Sequence, residues 1–279
     1  MPLPPPPSEQ DLTVWFDHWG LVPDGDPFAT QVARLAPVRW RDRPAMLKVA
    51  SEAEERQGWQ LMEWWDGDGA ARVYAHAGDQ ALLLERATGA ELVELARTGR
   101  DDQATRILCA VAARLHRPRP TPPPDGLLPL ADWFEELWPL AETDPRLARS
   151  AEVAHRLLAG QADVVPLHGD LHHGNVLDFG SGDWRVIDPK RLIGDRGFDY
   201  ANIFCNPDLD HPEPAIATRP DRFAARLHIV TELSGLSRER LLDWIIAWTG
   251  LSAAWFLGDG GDARIDWQVL GLATAARDE

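Results

Sequence analysis

Residues 168–175 read His-Gly-Asp-Leu-His-His-Gly-Asn, three histidines, an aspartate and an asparagine within eight positions. Three chemistries compete for such a run: a zinc site, a general base beside a hard cation, and a polar turn whose histidines only cap and hydrogen-bond. Zinc fits worst. Structural zinc sites draw Cys or His pairs from two separated places, His-Glu-x-x-His is absent, and no cysteine is close in sequence. The continuation "NVLDFGSGDWRVIDPK" holds two short apolar runs around "FGSGD". That pattern predicts a hairpin turning over residues 180–183, with Leu177 opposite Val186 and Asn175 opposite Asp188. An amide and a carboxylate then share the open end of one hairpin, with Asp170 on the loop leading in. Such oxygen ligands suit Mg²⁺, which takes one or two carboxylates together with phosphate oxygens.

The elements that position these residues follow from periodicity. "FATQVARLAPVRWRDRPAMLKVA" (28–50) alternates and is broken by "RDRP", so it reads as a hairpin with Lys48 on its second strand. Ser51 and Glu54 form a capping-box pattern ahead of a helix carrying Trp59, Leu61, Met62 and Trp65, which "DGDG" (66–69) ends. "ARVYAHAGDQALLLERA" reads as a second hairpin turning at Gly78–Asp79. After residue 88 the pattern is helical, interrupted by the proline-rich spacer 118–126. The expected architecture is α+β: a small β-rich N-terminal lobe joined near residues 85–88 to a larger helical lobe. Residues 1–10 are proline-rich and expected to be extended.

Bulk composition narrows the partners. The formal charge of −16 argues against nucleic acid or an anionic membrane. Residues 1–124 hold 14 Lys and Arg against 18 Asp and Glu, while residues 125–279 hold 14 against 26. The acidic C-terminal part suits a cationic small molecule, although a merely soluble acidic surface has the same composition. Of the 28 basic residues only Lys48 and Lys190 are lysines, so each invites the question of what arginine does not do there. Cys109 and Cys205 lie far apart and read as buried thiols of a reducing compartment. No signal-peptide pattern opens the chain, and no apolar stretch approaches eighteen residues, so a cytoplasmic, non-membrane protein is expected.

Asp170 lies five residues before Asn175, with His168 two residues ahead of it, the spacing of the kinase loop H-R-D-x-x-x-x-N. "LHGDLHHGNVL" followed by "VIDPKRLIGDRGFDYANIFCNP" resembles the aminoglycoside phosphotransferases, in particular the streptomycin 6-phosphotransferase and hydroxyurea-kinase branch. "LKVA" with "EERQG", "WWDGDGAARV", "LLLERA" and "GLSAAW" extend the likeness, in order, over residues 27–257. The resemblance implies a two-lobed protein-kinase-like fold, with residues 1–86 as the nucleotide lobe and 87–279 as the helical lobe carrying the catalytic loop. It implies ATP and Mg²⁺ as cofactors and the 6-hydroxyl of streptomycin as acceptor; a monomer is expected ahead of an oligomer. Other amino, guanidino or choline-like acceptors, and a nucleotide-binding scaffold without turnover, stay open.

By the same resemblance, Lys48 grips the ATP phosphates and Glu55 holds Lys48, with Glu54 its rival. Glu85 and Ala87 offer a backbone carbonyl and amide to adenine, though an ordinary strand-to-helix connection fits these letters equally. Asp170 accepts or orients the proton of the attacking hydroxyl, and Asn175 and Asp188 hold Mg²⁺. His168 supports the loop by hydrogen bonding; His172, His173 and Lys190 receive no role. Asp195 and Asp199 read as structural, with Asp199 capping a helix that begins near Tyr200. For the cationic acceptor, the acidic regions are Asp208, Asp210 and Glu213, and Asp259 and Asp262 near Trp255. Trp244 and Trp248 read as core. No G-x-G-x-x-G precedes Lys48, where "DPFATQVA" stands instead, and this departure favours a small-molecule kinase over a protein kinase.

Overall fold

The computed structural model describes residues 11–30, 33–50, 58–209 and 212–279. The proline-rich 1–10 and the capping box at Ser51 and Glu54 lie outside the described residues.

The N-terminal part is built on an antiparallel six-stranded sheet: β1 (Val22–Pro23), β2 (Phe28–Ala29), β3 (Ala33–Trp40), β4 (Arg43–Ala50), β5 (Val73–His76) and β6 (Leu82–Glu85). The strand order is β1-β3-β4-β6-β5, and β2 also pairs with β3. The β3–β4 hairpin turns on Arg41 (φ 50°) and Asp42 (φ 63°), two consecutive left-handed residues whose twist matches that of the flanking strands. Alternation along β4 divides its labour. Ala45, Leu47 and Val49 join Ala36 and Val38 of β3 in a core also containing Leu12 and Leu21. Met46 and Lys48 point the other way and line a cavity beneath the sheet. A one-residue slip of this strand would bury the wrong set and remove Lys48 from that cavity.

The helix Trp59–Trp65 buries Leu61, Met62 and Trp65 and stops at Asp66, which is left-handed (φ 43°). Three short strands follow in a second sheet, with β11 (Leu192–Asp195) between β7 (Leu128–Pro129) and β8 (Val164–Leu167). A two-stranded hairpin joins β9 (Val176–Asp178) and β10 (Trp184–Val186). The rest is helical. The helix Arg238–Gly258 runs through the core, packed on the helices Ala148–Ala159, Gly197–Ala201 and Arg264–Asp278. Gly250 lets it approach Ser150 so closely that an added Cβ would lie 2.2 Å from the serine Cβ. This helix corrects the expectation about apolar stretches. By length and composition it is apolar enough to cross a membrane, yet 78% of its apolar window is buried inside the protein. Trp244 and Trp248 are buried on it, as are Cys109 and Cys205 on neighbouring elements.

The β9–β10 hairpin is shifted by one residue from the sequence expectation. Leu177 pairs with Arg185 and Val176 with Val186, not Leu177 with Val186. The cause is the turn. Phe179 N–H donates to Asp183 O, and Gly180, Ser181 and Gly182 all take positive φ, making a three-residue connection. Asp178 stabilises it by accepting the Gly180 and Gly182 N–H groups. Asn175 therefore stands opposite Ile187, whose N–H donates to Asn175 O, and Asp188 lies one residue beyond.

Candidate active site

The loop 168–175 is held from several sides. Both carboxylate oxygens of Asp199 accept its backbone, Oδ2 from His168 N–H at 2.9 Å and Oδ1 from Gly169 N–H at 2.8 Å. His116 Nε2 lies 2.8 Å from the same Oδ2. Burial opposes ionisation of Asp199, but His116, His168 and the Gly169 N–H together hold its carboxyl below the usual range. Asp199 thus clamps the loop. It does not cap a helix beginning near Tyr200 as expected: the helix begins at Gly197 with Asp199 inside it, and Asp195, ahead of the helix, accepts from Gly197 N–H at 2.8 Å and from Ala162 N–H.

His168 is fully buried. Its Nδ1 accepts the Asp170 N–H at 3.1 Å, so Nε2 carries the proton and donates to Ile187 O at 2.8 Å. Burial lowers its pKa, in keeping with a neutral ring that ties the loop to the segment after β10 that bears Asp188. From that segment Lys190 N–H returns a bond to His168 O at 2.7 Å.

Asp170 is oriented by two amides. Asn202 Nδ2 donates to its Oδ1 at 2.9 Å, and Asn175 Nδ2 to its Oδ2 at 3.2 Å and to its backbone O at 2.9 Å. Burial pushes its pKa up, but His172, 3.7 Å away, and then Lys190 and His168 reverse this and hold the carboxyl well below the usual range. Its side chain remains 35% exposed, so an ionised carboxylate faces a cleft. Asn202 lies 27 residues beyond Asn175, and no spacing rule identified it.

Two cavities flank this loop. One, of about 350 Å³, lies under the sheet and is lined by Phe28, Met46, Lys48, Leu84, Asn175 and Asp188, among others; Glu85 and Ala87 form part of its rim. Lys48 Nζ is 2.6 Å from Asp188 Oδ1. Asp188 is left-handed (φ 59°), a conformation that aims its carboxylate back toward the sheet. The Glu85 carboxylate pairs with Arg185 at 2.5 Å, and its N–H donates to Arg72 O. Asn175 commits its amide NH₂ to Asp170, so its carbonyl oxygen, with a carboxylate oxygen of Asp188, makes a hard-oxygen pair that fits Mg²⁺. Glu55, like Glu54, lies outside the described residues.

The second cavity, about 530 Å³, opens on the other side of Asp170. Asp132, Glu135, Glu136 and Asp259 give it an acidic rim, and Trp133 and Trp255, edge to face at 5.7 Å, give it an aromatic wall. Of the described acidic residues that the sequence offered for the cationic acceptor, Asp259 alone lines it. Asp208 is fully buried and accepts the Ile216 and Ala217 N–H groups, fastening its own loop. Glu213 and Asp262 are exposed and do not line it, and Asp210 lies outside the described residues. Asp132, Glu135 and Glu136 were hidden in "ADWFEELW", which reads only as a helix. The Asp170–Asn175 hydrogen bond is the seam between the two cavities.

The antiparallel sheet and the helical part agree with the comparisons. A thermostable mutant of an aminoglycoside phosphotransferase, solved as a ternary complex with ADP and hygromycin B, aligns with TM-score 0.64 at 16% identity, covering 95% of this chain and 97% of that one. The fold is that of the protein-kinase-like phosphotransferases of small molecules. Residues 18–260 match the aminoglycoside/hydroxyurea antibiotic resistance kinase family, and the chain belongs to it. The streptomycin 3''-kinase of Klebsiella pneumoniae is 54% identical over 263 residues, 92% of this chain and 98% of that protein. The streptomycin 6-kinase of Streptomyces glaucescens is 32% identical over 277 residues, 94% and 87% of the two chains.

Proposed function

We propose that the protein transfers the γ-phosphoryl group of ATP to a hydroxyl of streptomycin. The observation that carries this reading is the ionised Asp170 at the seam between a lysine-bearing cavity and an acidic, tryptophan-walled cleft. In this reading residues 1–86 form the nucleotide lobe and 87–279 the acceptor lobe. ATP occupies the cavity under the sheet, with its adenine against the main chain of Glu85 and Ala87 and its phosphates at Lys48, which Glu55 steadies. Asn175 and Asp188 would hold Mg²⁺, whose charge, when bound, offsets that of the phosphates. Asp170 takes the proton of the acceptor hydroxyl. Because the transition state is loose, alignment of that oxygen by Asp170, itself fixed by Asn175 and Asn202, matters more than strong basicity.

The acidic rim and the aromatic wall suit guanidinium groups, which carboxylates bind as a fork and ring faces attract. The sequence resemblance implied the 6-hydroxyl as acceptor. The 54% identity to a 3''-kinase, against 32% to a 6-kinase, supports the 3''-hydroxyl instead. The test is Mg·ATP turnover with and without streptomycin, for wild type and Asp170→Asn, with the phosphate located by NMR. Streptomycin-dependent ADP and a 3''-phosphate are expected, abolished by the substitution. A 6-phosphate would return the assignment to the other hydroxyl, and no streptomycin-dependent turnover would reject the acceptor.

A further inference from the structure

One residue of the acceptor cleft is at odds with a cationic guest. Lys190 is the only lysine or arginine among the described residues lining it, against the carboxylates of Asp132, Glu135, Glu136, Asp170 and Asp259. A fixed positive charge in that position weakens the binding of any cation, so a lysine retained there serves another step. Its placement is tightly specified. Its N–H is held by His168 O, and its stem lies so close to Gly169 (φ 83°) that an added Cβ there would sit 2.9 Å from the Lys190 Cβ. The side chain thus leaves the backbone beside the residue preceding Asp170, and its charge is felt at the Asp170 carboxylate.

We propose that Lys190 is a second catalytic lysine, whose ammonium meets the oxygens of the γ-phosphoryl group from the acceptor side as that group crosses between the cavities. The inference rests on the ATP-dependent phosphotransferase reading given above. During transfer the acceptor oxygen–phosphorus bond forms while the bond from phosphorus to the bridging oxygen of ADP breaks. The hydroxyl proton passes to Asp170, and Lys190 gives up none. Negative charge on the three equatorial oxygens then lies between two carboxylates, Asp170 and Asp188. Lys48 offsets it on the nucleotide side, paired with Asp188 at 2.6 Å. On the acceptor side Lys190 is the one lysine or arginine among the described residues lining the cleft. A compact ammonium on a flexible stem follows a moving phosphoryl group, whereas a planar fork fixes one geometry, which accounts for lysine in a chain that otherwise uses arginine.

The test compares wild type, Lys190→Met and Lys190→Arg. For Lys190→Met, kcat is expected to fall about 10²-fold, with ADP affinity and melting temperature kept and the KM of the cationic acceptor unchanged or lowered. Lys190→Arg should recover part of kcat. A second arm measures by calorimetry how much more tightly ADP with Mg²⁺ binds when fluoroaluminate, a mimic of the transferring phosphoryl group, is added. Lys190→Met is expected to lose that gain by tenfold or more. The proposal is overturned by a variant that keeps the gain, by a wild type that shows none, or by a loss expressed as higher acceptor KM with kcat intact. Because this arm contains no acceptor, it reads Lys190 even where streptomycin proves not to be the acceptor, and that failure would fall on the acceptor assignment alone.

Discussion

Lys48 Nζ and Asp188 Oδ1 are 2.6 Å apart, joining the second strand of the N-terminal hairpin to the segment that follows β10. The Lys48 side chain is 4% exposed and that of Asp188 28%, so the pair is held at the inner end of the cavity with one carboxylate edge open. The contact makes the geometry of the sheet depend on the hairpin across the cavity, and the reverse.

From this pair we expect Lys48→Met to lower kcat about 10²-fold, the size typical of removing one group that stabilises transition-state charge. Lys48→Arg should not restore it, because a planar fork cannot reproduce a single short contact to Oδ1. Steady-state kinetics with varied ATP will decide; an active Lys48→Arg enzyme would refute the role. Asp188→Asn, or EDTA added to wild type, should stop turnover, and Mg²⁺ should restore only the wild type.

Asp199→Asn places an NH₂ group where His168 and Gly169 N–H groups now donate. The loss of the charged acceptor should cost about 2–4 kcal/mol of stability and release the loop that carries Asp170. Urea unfolding is expected to shift to lower denaturant, with kcat falling and ADP affinity kept. Unchanged kcat would mean that Asp199 contributes to stability alone.

Much of this arrangement was legible because it is written in alternation and in residue chemistry. The place of Lys48 on its strand follows from the period-two pattern of "AMLKVA", while the roles of Lys48, Asp170 and Asn175 come from the family resemblance, the Asp-to-Asn spacing alone being a weak signal. What was not legible depends on single turns and on long-range packing. The β9–β10 register differs by one because Ser181 joins two glycines at positive φ, and letters alone do not tell a two-residue from a three-residue turn. Asp208 looks like a surface acid but is consumed by its own loop. Glu135 and Glu136 look like a solvated helix face but rim the cleft, and Asn202 reaches Asp170 only after the helix Gly197–Ala201 has packed.

In the proposed reading the rim carboxylates meet the acceptor and not ATP. Asp259→Asn and Glu136→Gln are each expected to raise acceptor KM about 3- to 30-fold, the range of one partly exposed charge contact, and to weaken its dependence on salt. ATP KM should stay fixed. Equal effects on both substrates would place these residues in lobe packing.

Asp266 gives a stability prediction. It is fully buried on the helix Arg264–Asp278, and burial, outweighing the opposing effects of Ser252, its own backbone N–H and Cys205, pushes its carboxyl up to about 7. Between the usual carboxylate range and that value the folded state binds the extra proton, so this contribution to stability falls as pH rises across the window. Asp266→Asn should remove that slope and raise stability at pH 8 by on the order of 3 kcal/mol. Thermal unfolding at pH 5 and pH 8 checks it: no gain at pH 8 over pH 5 would show the carboxyl to be ordinary.

The preference for arginine has an electrical consequence. Beside the α-amine, only two lysines, two tyrosines and two cysteines could lose a proton in moderately alkaline solution. Burial pushes the Cys109 thiol up to about 12 and raises Cys205, Tyr74 and Tyr200 as well. Guanidinium groups keep their protons above about pH 12. From about pH 8 to 11 the molecule is therefore nearly a constant-charge particle, its electrophoretic mobility flat and its many arginine–carboxylate pairs intact, where a lysine-rich protein of the same composition would be steadily discharged.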